Sequence, residues 1–131
     1  MEEQGRAERD VREVIARYVD AVYRADVETL RACFHPSAAM SGYLGDQLLT
    51  GGPEPFFADV AGRPSMEASG ASYVAEVTAL EVVGGAASLR LDETGFFGSF
   101  AFANWFHLVR VEGGSWLIVS KLFTMRPAGE A

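Results

Sequence analysis

Residues Phe96–Met125, FFGSFAFANWFHLVRVEGGSWLIVSKLFTM, decide the fold of this chain. Two apolar runs rich in aromatic and β-branched residues flank the dipeptide Gly113-Gly114, a pattern typical of a β-hairpin with a tight turn. Antiparallel pairing around this turn predicts a register, which sets Val111 opposite Trp116, Leu108 opposite Val119 and Phe106 opposite Lys121. The sequence therefore predicts two long paired strands as the centre of the fold.

Side chains alternate between the two faces of a strand, so the hairpin presents two sets of residues. The first face carries Phe100, Phe102, Asn104, Phe106, Leu108, Leu117, Val119, Lys121, Phe123 and Met125. The second face carries Ala101, Ala103, Trp105, His107, Val109, Trp116, Ile118, Ser120 and Leu122. Both faces are largely apolar, whereas a sheet with one solvated face alternates apolar and polar residues. We therefore expect helices on one face and a second copy of the chain on the other, in a two-fold homodimer built on Trp105, His107, Val109, Trp116 and Ile118.

Composition and charge limit the classes of function. A length of 131 residues fits a single domain, 1–131, and the net charge of −7 argues against nucleic acid or an anionic membrane surface as partner. No apolar run is long enough to span a membrane, and the N-terminus does not resemble a signal peptide. The single cysteine, Cys33, permits a reducing compartment, so the cytoplasm is the expected location. Because no residues have the spacing of metal ligands or of a phosphate-binding loop, we expect neither a metal nor a cofactor.

The remaining chain reads as helices followed by strands. Residues 1–9 are expected to fray, and Asp10 caps an amphipathic helix whose buried stripe includes Tyr18. Asp26 caps a second helix, which ends before Pro36. Further on we expect a weak hairpin (38–44 and 47–50), a short helix (54–60), a loop (61–70) and two long strands (73–83 and 86–97). This order is typical of an α+β fold.

The order of elements resembles the nuclear transport factor 2 and ketosteroid isomerase-like (SnoaL-like) superfamily. Within it, the ending NWFHLVRVEGGSWLIVSKLF is similar to that of the putative lumazine-binding family, which closes on an Asp/Asn-aromatic-Phe and Gly-x-Trp-x-Ile-x-x-Lys-x-Phe pattern. The likeness runs from Val11 to Phe123. It implies a curved antiparallel sheet wrapped around N-terminal helices to form a cone-shaped pocket.

The same resemblance allows a comparison with steroid isomerases. Their oxyanion-binding Tyr lies in an Arg-Tyr-Val context, matched here by Arg17-Tyr18-Val19, and their second donor, an Asp, is replaced by Asn104. An amide can still donate a hydrogen bond, so Tyr18 and Asn104 could bind a carbonyl group. The catalytic base falls on Gly42, which has no side chain. We therefore expect no efficient steroid isomerase activity, and a substitute base would have to be Glu76 or Glu93, for which an exposed position is the commoner one.

The apolar face of the hairpin points to a ligand pocket. The residues that support it are Phe56, Phe57, Phe100, Phe102, Phe106, Phe123 and Met125. We predict a binding protein for a small apolar or aromatic ligand, with Tyr18, Asn104, Phe102, Phe106, Lys121 and Phe123 as the ligand-binding residues. The alternatives are a cofactor-free isomerase, lyase or cyclase acting on a carbonyl or polyketide-like substrate, and a dimeric interaction protein with a filled pocket.

Lys121 has two possible states on this face. If it reaches the rim it stays charged and steers an anionic or carbonyl ligand, whereas a buried amine would have a lowered pKa and could act as a base or nucleophile. We favour the first state, because an unpaired buried charge is costly. Asn104, diagonal to Lys121 in the predicted register, either lines the pocket or only bonds this amine.

Overall fold

A computed structural model describes residues 2–126 of the chain. The helices are α1 (Glu2–Arg24), α2 (Val27–Ala32), α3 (Glu54–Ala61) and α4 (Met66–Ser69). The strands are β1 (Phe34–Leu44), β2 (Gln47–Leu49), β3 (Val74–Val83), β4 (Ala86–Phe96), β5 (Phe100–Arg110) and β6 (Trp116–Arg126). These elements form the α+β architecture that the sequence predicts.

The strands form one six-stranded sheet in the order β2-β1-β6-β5-β4-β3. Neighbouring strands are antiparallel except β1 and β6, which run parallel; the elements between them in sequence provide the long connection that a parallel pair needs. The register shifts in four of the five strand pairs, and such bulges increase twist and bend a sheet. The sheet consequently curves around α1, which packs against β3 and β6.

The terminal hairpin corrects part of the predicted register. Phe106 does pair with Lys121, but a bulge follows His107, so that Leu108 pairs with Ile118 and Arg110 with Trp116. A shift of one residue moves every following side chain to the opposite face. Trp116 and Ile118 therefore point into the core, where they are 3% and 0% exposed, and not onto the predicted dimer face. Trp105 and His107 remain exposed on the outer face.

The N-terminal helix is longer than the sequence suggested. It begins at Glu2, so residues 2–9 are helical rather than frayed and Asp10 lies inside the helix. Two contacts hold this added segment: Ala7 is buried, and the Gln4 side chain donates a hydrogen bond to the carbonyl of Val82 at 2.9 Å. The buried stripe of α1 is as predicted, with Tyr18 1% exposed.

The other helices follow local capping signals. The Asp26 side chain caps α2 by accepting from the backbone N–H of Thr29, as predicted. The segment 61–70, expected to be a loop, contains the single turn α4. Ser65 caps its N-terminus, Gly70 ends it in the left-handed conformation at φ 72°, and the burial of Met66 anchors it.

Candidate functional site

A cavity of about 580 Å³ lies between α3 and the concave face of the sheet. Its volume falls in the range of small-molecule sites. The lining is mainly apolar and includes the charged or amide side chains of Asp59, Arg63, Glu93, Asn104 and Lys121. The apolar lining residues are Met40, Leu44, Leu49, Pro55, Phe56, Phe96, Phe100, Phe102, Phe123 and Met125, joined by Gly45, Thr50 and Gly52.

Lys121 is buried at the inner end of this cavity. It lies on β6, between β1 and β5, and only 5% of its surface is exposed. The amine donates a hydrogen bond to the hydroxyl of Tyr18 at 2.7 Å. Aromatic rings surround the Nζ atom, which lies 4.0 Å from the centre of Phe56 and 5.7 Å from that of Phe123. The prediction that Lys121 reaches the rim is therefore wrong, because a central strand offers no nearby edge and α3 covers the side chain.

The burial of Lys121 changes its acidity. Loss of solvent lowers the pKa of the amine from 10.5 to about 8, although the Glu93 carboxylate acts in the opposite direction. Within residues 2–126 the amine forms no ion pair with a carboxylate. Lys121 is also the sole lysine of the 131-residue chain, in which every other basic side chain apart from the two histidines is an arginine. The cavity thus holds the only lysine amine of the protein.

A second polar group, centred on Glu93, belongs to the same cavity. The carboxylate is 2% exposed and accepts hydrogen bonds from the Tyr73 hydroxyl and from the Asn104 amide, the latter at 2.8 Å. The same Asn104 nitrogen donates to the carbonyl of Leu91 at 3.1 Å. From the sequence, an exposed position was the expected one for Glu93, whereas the structure buries it. The alternation of Leu89, Leu91 and Glu93 along β4 is the signal that places it inside.

The six predicted ligand-binding residues divide into two groups. Phe102, Asn104, Lys121 and Phe123 line the cavity. Tyr18 and Phe106 lie in the core, 1% and 0% exposed, with their ring centres 5.0 Å apart in an edge contact. Phe57, also expected in the pocket, is likewise a core residue.

Tyr18 and Asn104 do not form the carbonyl-binding pair that the resemblance to isomerases implies. The two hydrogens of the Asn104 nitrogen are donated to Leu91 and Glu93, and Tyr18, whose hydroxyl accepts from Lys121, is 1% exposed and does not line the cavity. Burial raises the pKa of Tyr18 well above its usual value, so its hydroxyl stays protonated. Tyr18 therefore positions the Lys121 amine from the side of the core.

The position of Gly42 explains why β1 supplies no carboxylate. Gly42 is paired with Phe123 of β6, and a Cβ atom on Gly42 would meet the Phe123 ring at 2.7 Å and its backbone carbonyl more closely still. Side chains cannot occupy this position without displacing β6. A carboxylate base in the cavity must come from another element: Asp59 of α3 also lines the cavity, but Glu93 of β4 is the buried one.

Two features are absent from the part of the chain that the structure describes. Residues 2–126 contain no group of three or more His, Cys, Asp or Glu side chains placed to hold a metal ion. Within the same range, no helix combines the length and hydrophobicity that crossing a membrane requires.

The helices, the curved sheet and the cavity define the class of protein, which is nuclear transport factor 2-like (NTF2-like). An NTF2-like protein of unknown function from Shewanella baltica OS155 is 29% identical with a TM-score of 0.81, covering 93% of this chain and 95% of that one. A second, from Methylobacillus flagellatus KT, is 26% identical with a TM-score of 0.78 and covers 90% of each chain. A ketosteroid isomerase-like protein from Erwinia carotovora atroseptica shares the fold at 15% identity, with a TM-score of 0.67, over 92% of this chain and 96% of that one.

The family is narrower than the fold class. Residues 6–124 match the family described as putative lumazine-binding, and the chain belongs to this family. No functionally curated protein matches the chain.

Proposed function

We propose that this protein binds a small, mostly apolar or aromatic molecule in a conical pocket, with a carbonyl or anionic group of the ligand directed at Lys121. The observation that carries the proposal is the cavity of about 580 Å³, in which aromatic side chains surround one buried amine. The rings supply apolar contact area, and the amine supplies a hydrogen-bond donor whose partner sets the orientation of the ligand. The name of the family agrees with a small-molecule ligand.

The charge of the amine predicts which ligands bind best. At pH 7 an amine with a pKa of about 8 is mostly protonated, and it carries no ion-pair partner within the described residues. A ligand carboxylate or carbonyl oxygen would offset part of the cost of burying this charge. We expect the cavity to prefer an aromatic acid over the same aromatic body without the acid.

Native mass spectrometry and titration calorimetry with 2-naphthoate and 2-methylnaphthalene test this proposal. We expect both to bind, with Lys121→Met weakening only the naphthoate. Arg110→Met, which removes an exposed cation outside the cavity lining, is the matched control and should bind both like the wild type. Failure of the wild type to bind any of a broad panel of apolar and aromatic compounds would favour an interaction protein with a filled pocket.

A cofactor-free isomerase, lyase or cyclase is the second candidate function. The observation in its favour is that a buried carboxylate, Glu93, and a buried amine, Lys121, line one cavity. Such groups can act as a general base and as a proton donor toward a carbonyl substrate. Turnover of a panel of activated ketones, lost in Glu93→Gln, would support this function, and the absence of turnover would leave binding alone.

We also propose a two-fold homodimer through the outer face of β5 and β6. In the observed register, the outer face of β5 and β6 presents Trp105, Leu122 and His107, with Trp105 36% and Leu122 50% exposed. Apolar side chains of this size on a central pair of strands favour coverage by a second copy. Sedimentation at micromolar concentration should show a dimer that Leu122→Glu dissociates, whereas Val83→Glu, an equally drastic change at the exposed end of edge strand β3, should not. A monomeric wild type would contradict the proposal.

A further inference from the structure

We propose that Lys121 forms a covalent imine with an aldehyde or ketone group of a small aromatic or apolar ligand held in the cavity. This inference rests on the proposed function of the cavity as a binding site. It extends that function by naming the ligand class and by assigning Lys121 as the reacting group.

The geometry around Lys121 favours this reaction. An amine is a nucleophile only in its neutral form, and an apolar site without an anionic partner favours that form. Among residues 2–126 the Nζ atom has one hydrogen-bond partner, the Tyr18 hydroxyl at 2.7 Å, and it lies among aromatic rings. Two of these rings, Phe56 and Phe123, also line the cavity, so a ligand packed against them lies beside the amine.

The condensation needs no group beyond the ligand and the amine. The lone pair of the neutral nitrogen attacks the carbonyl carbon and forms the C–N bond, while the electron pair of the C=O bond moves to oxygen. The two protons of the amine then leave with that oxygen as water, and the nitrogen lone pair forms the C=N bond. Tyr18 holds Nζ in place by accepting a hydrogen bond from one of its N–H groups.

The charged and titratable groups around the cavity set the pH dependence. Tyr18 approaches from α1, Glu93 from β4, Asp59 from α3, and Arg63 from the segment that follows α3. Burial lowers the pKa of Lys121 more than Glu93 raises it, so the pKa is about 8 and half of the amine is neutral near that pH. Imine formation should rise about tenfold from pH 7 to pH 9 and then level off, whereas an exposed lysine would rise about a hundredfold over the same interval.

The test is reductive trapping with 2-naphthaldehyde. The full-length protein is incubated with the aldehyde and sodium cyanoborohydride, and adducts are located by intact mass spectrometry and peptide mapping. Because Lys121 is the sole lysine, the α-amino group is the one other primary amine of the chain. Arg6→Lys adds an exposed reference lysine on α1, so both lysines are compared in one sample.

We expect the adduct on Lys121 to form at neutral pH at least about tenfold faster than the adduct on the lysine introduced by Arg6→Lys. Lys121→Met should lose it while keeping the far-ultraviolet circular dichroism of the wild type. If that variant fails to fold, the peptide map of the wild type still decides, since a label confined to the α-amino group overturns the proposal.

Binding of 2-naphthalenemethanol, which cannot form an imine, separates this inference from the proposed function. Binding of the alcohol without trapping of the aldehyde refutes the imine and leaves the binding site intact. If neither compound binds and no adduct forms on Lys121, both proposals fail for this ligand class.

Discussion

Replacing Lys121 by Met should change how stability depends on pH. The folded protein lowers the pKa of this amine from 10.5 to about 8, which corresponds to about 3 kcal/mol of destabilisation while the amine is charged. Between these two pH values the unfolded chain keeps a proton that the folded protein has lost. The unfolded state therefore binds more protons, and the free energy of unfolding rises with pH across this window.

The expected size of the effect follows from the same pKa values. From pH 7 to pH 9.5 the titration of Lys121 should add about 2 kcal/mol to the free energy of unfolding of the wild type. Tyr18, Tyr73 and Cys33 act in the opposite direction at high pH, because burial raises the pKa of each in the folded state. These groups are present in Lys121→Met as well, so their contribution cancels when the two proteins are compared.

Urea denaturation of both proteins at pH 7 and pH 9.5, at constant ionic strength, measures the difference directly. At pH 7 the variant does not bury a charged amine, which stabilises it, but its Tyr18 hydroxyl has lost the hydrogen bond from Lys121, which destabilises it. The difference in the free energy of unfolding at one pH therefore combines two effects, and its change with pH is the more informative quantity. We expect the wild type to gain about 2 kcal/mol relative to the variant as the pH rises. A relative gain below about 0.5 kcal/mol would show that Lys121 titrates as in the unfolded chain and would refute the reasoning.

Three other substitutions test neighbouring parts of the site. Glu93→Gln removes the charge that raises the pKa of Lys121, so the midpoint should fall below about 8 in NMR titration of the ¹³C-labelled lysine, and an unchanged midpoint would contradict this. Asn104→Leu deprives the buried Glu93 carboxylate of a donor and should cost ~1–3 kcal/mol in urea denaturation, whereas a neutral result would mean that solvent replaces the amide. Gly42→Ala places a methyl group against the backbone of β6 and should cost ~1–3 kcal/mol. Gly52→Ala, whose added Cβ would meet the Ala38 carbonyl oxygen at an ordinary 3.7 Å, should be near neutral, so equal effects would argue against the close packing at Gly42.

Several features were predictable from the sequence because their signals are local. The apolar periodicity around Tyr18 marks the buried face of α1, Asp26 caps α2, and Gly113-Gly114 marks the turn between β5 and β6. The pairing of Phe106 with Lys121 was also predicted, but only because the bulge after His107 offsets the error of one residue in the predicted register near the turn. From these elements alone the α+β fold and the cavity-facing positions Phe102, Asn104, Lys121 and Phe123 can be predicted.

The bulge after His107 could not be predicted by counting residues from the turn, because no local signal in the hairpin marks it. It depends on how β6 fits between β1 and β5, and it decides that Trp116 and Ile118 belong to the core instead of the outer face. The helical start at Glu2 likewise depends on a contact with the distant Val82.

The sequence by itself therefore determined most of the elements, though not α4, together with their order and most of the residues that can face a pocket. Only the tertiary structure decided that Lys121 is buried rather than at a rim, and that Glu93 shares its cavity. The physical reason is that desolvation depends on what covers a side chain in space. Lys121 is covered by Phe56 of α3, and the acidity of its amine is set by burial and by a carboxylate that lies far from it in the chain.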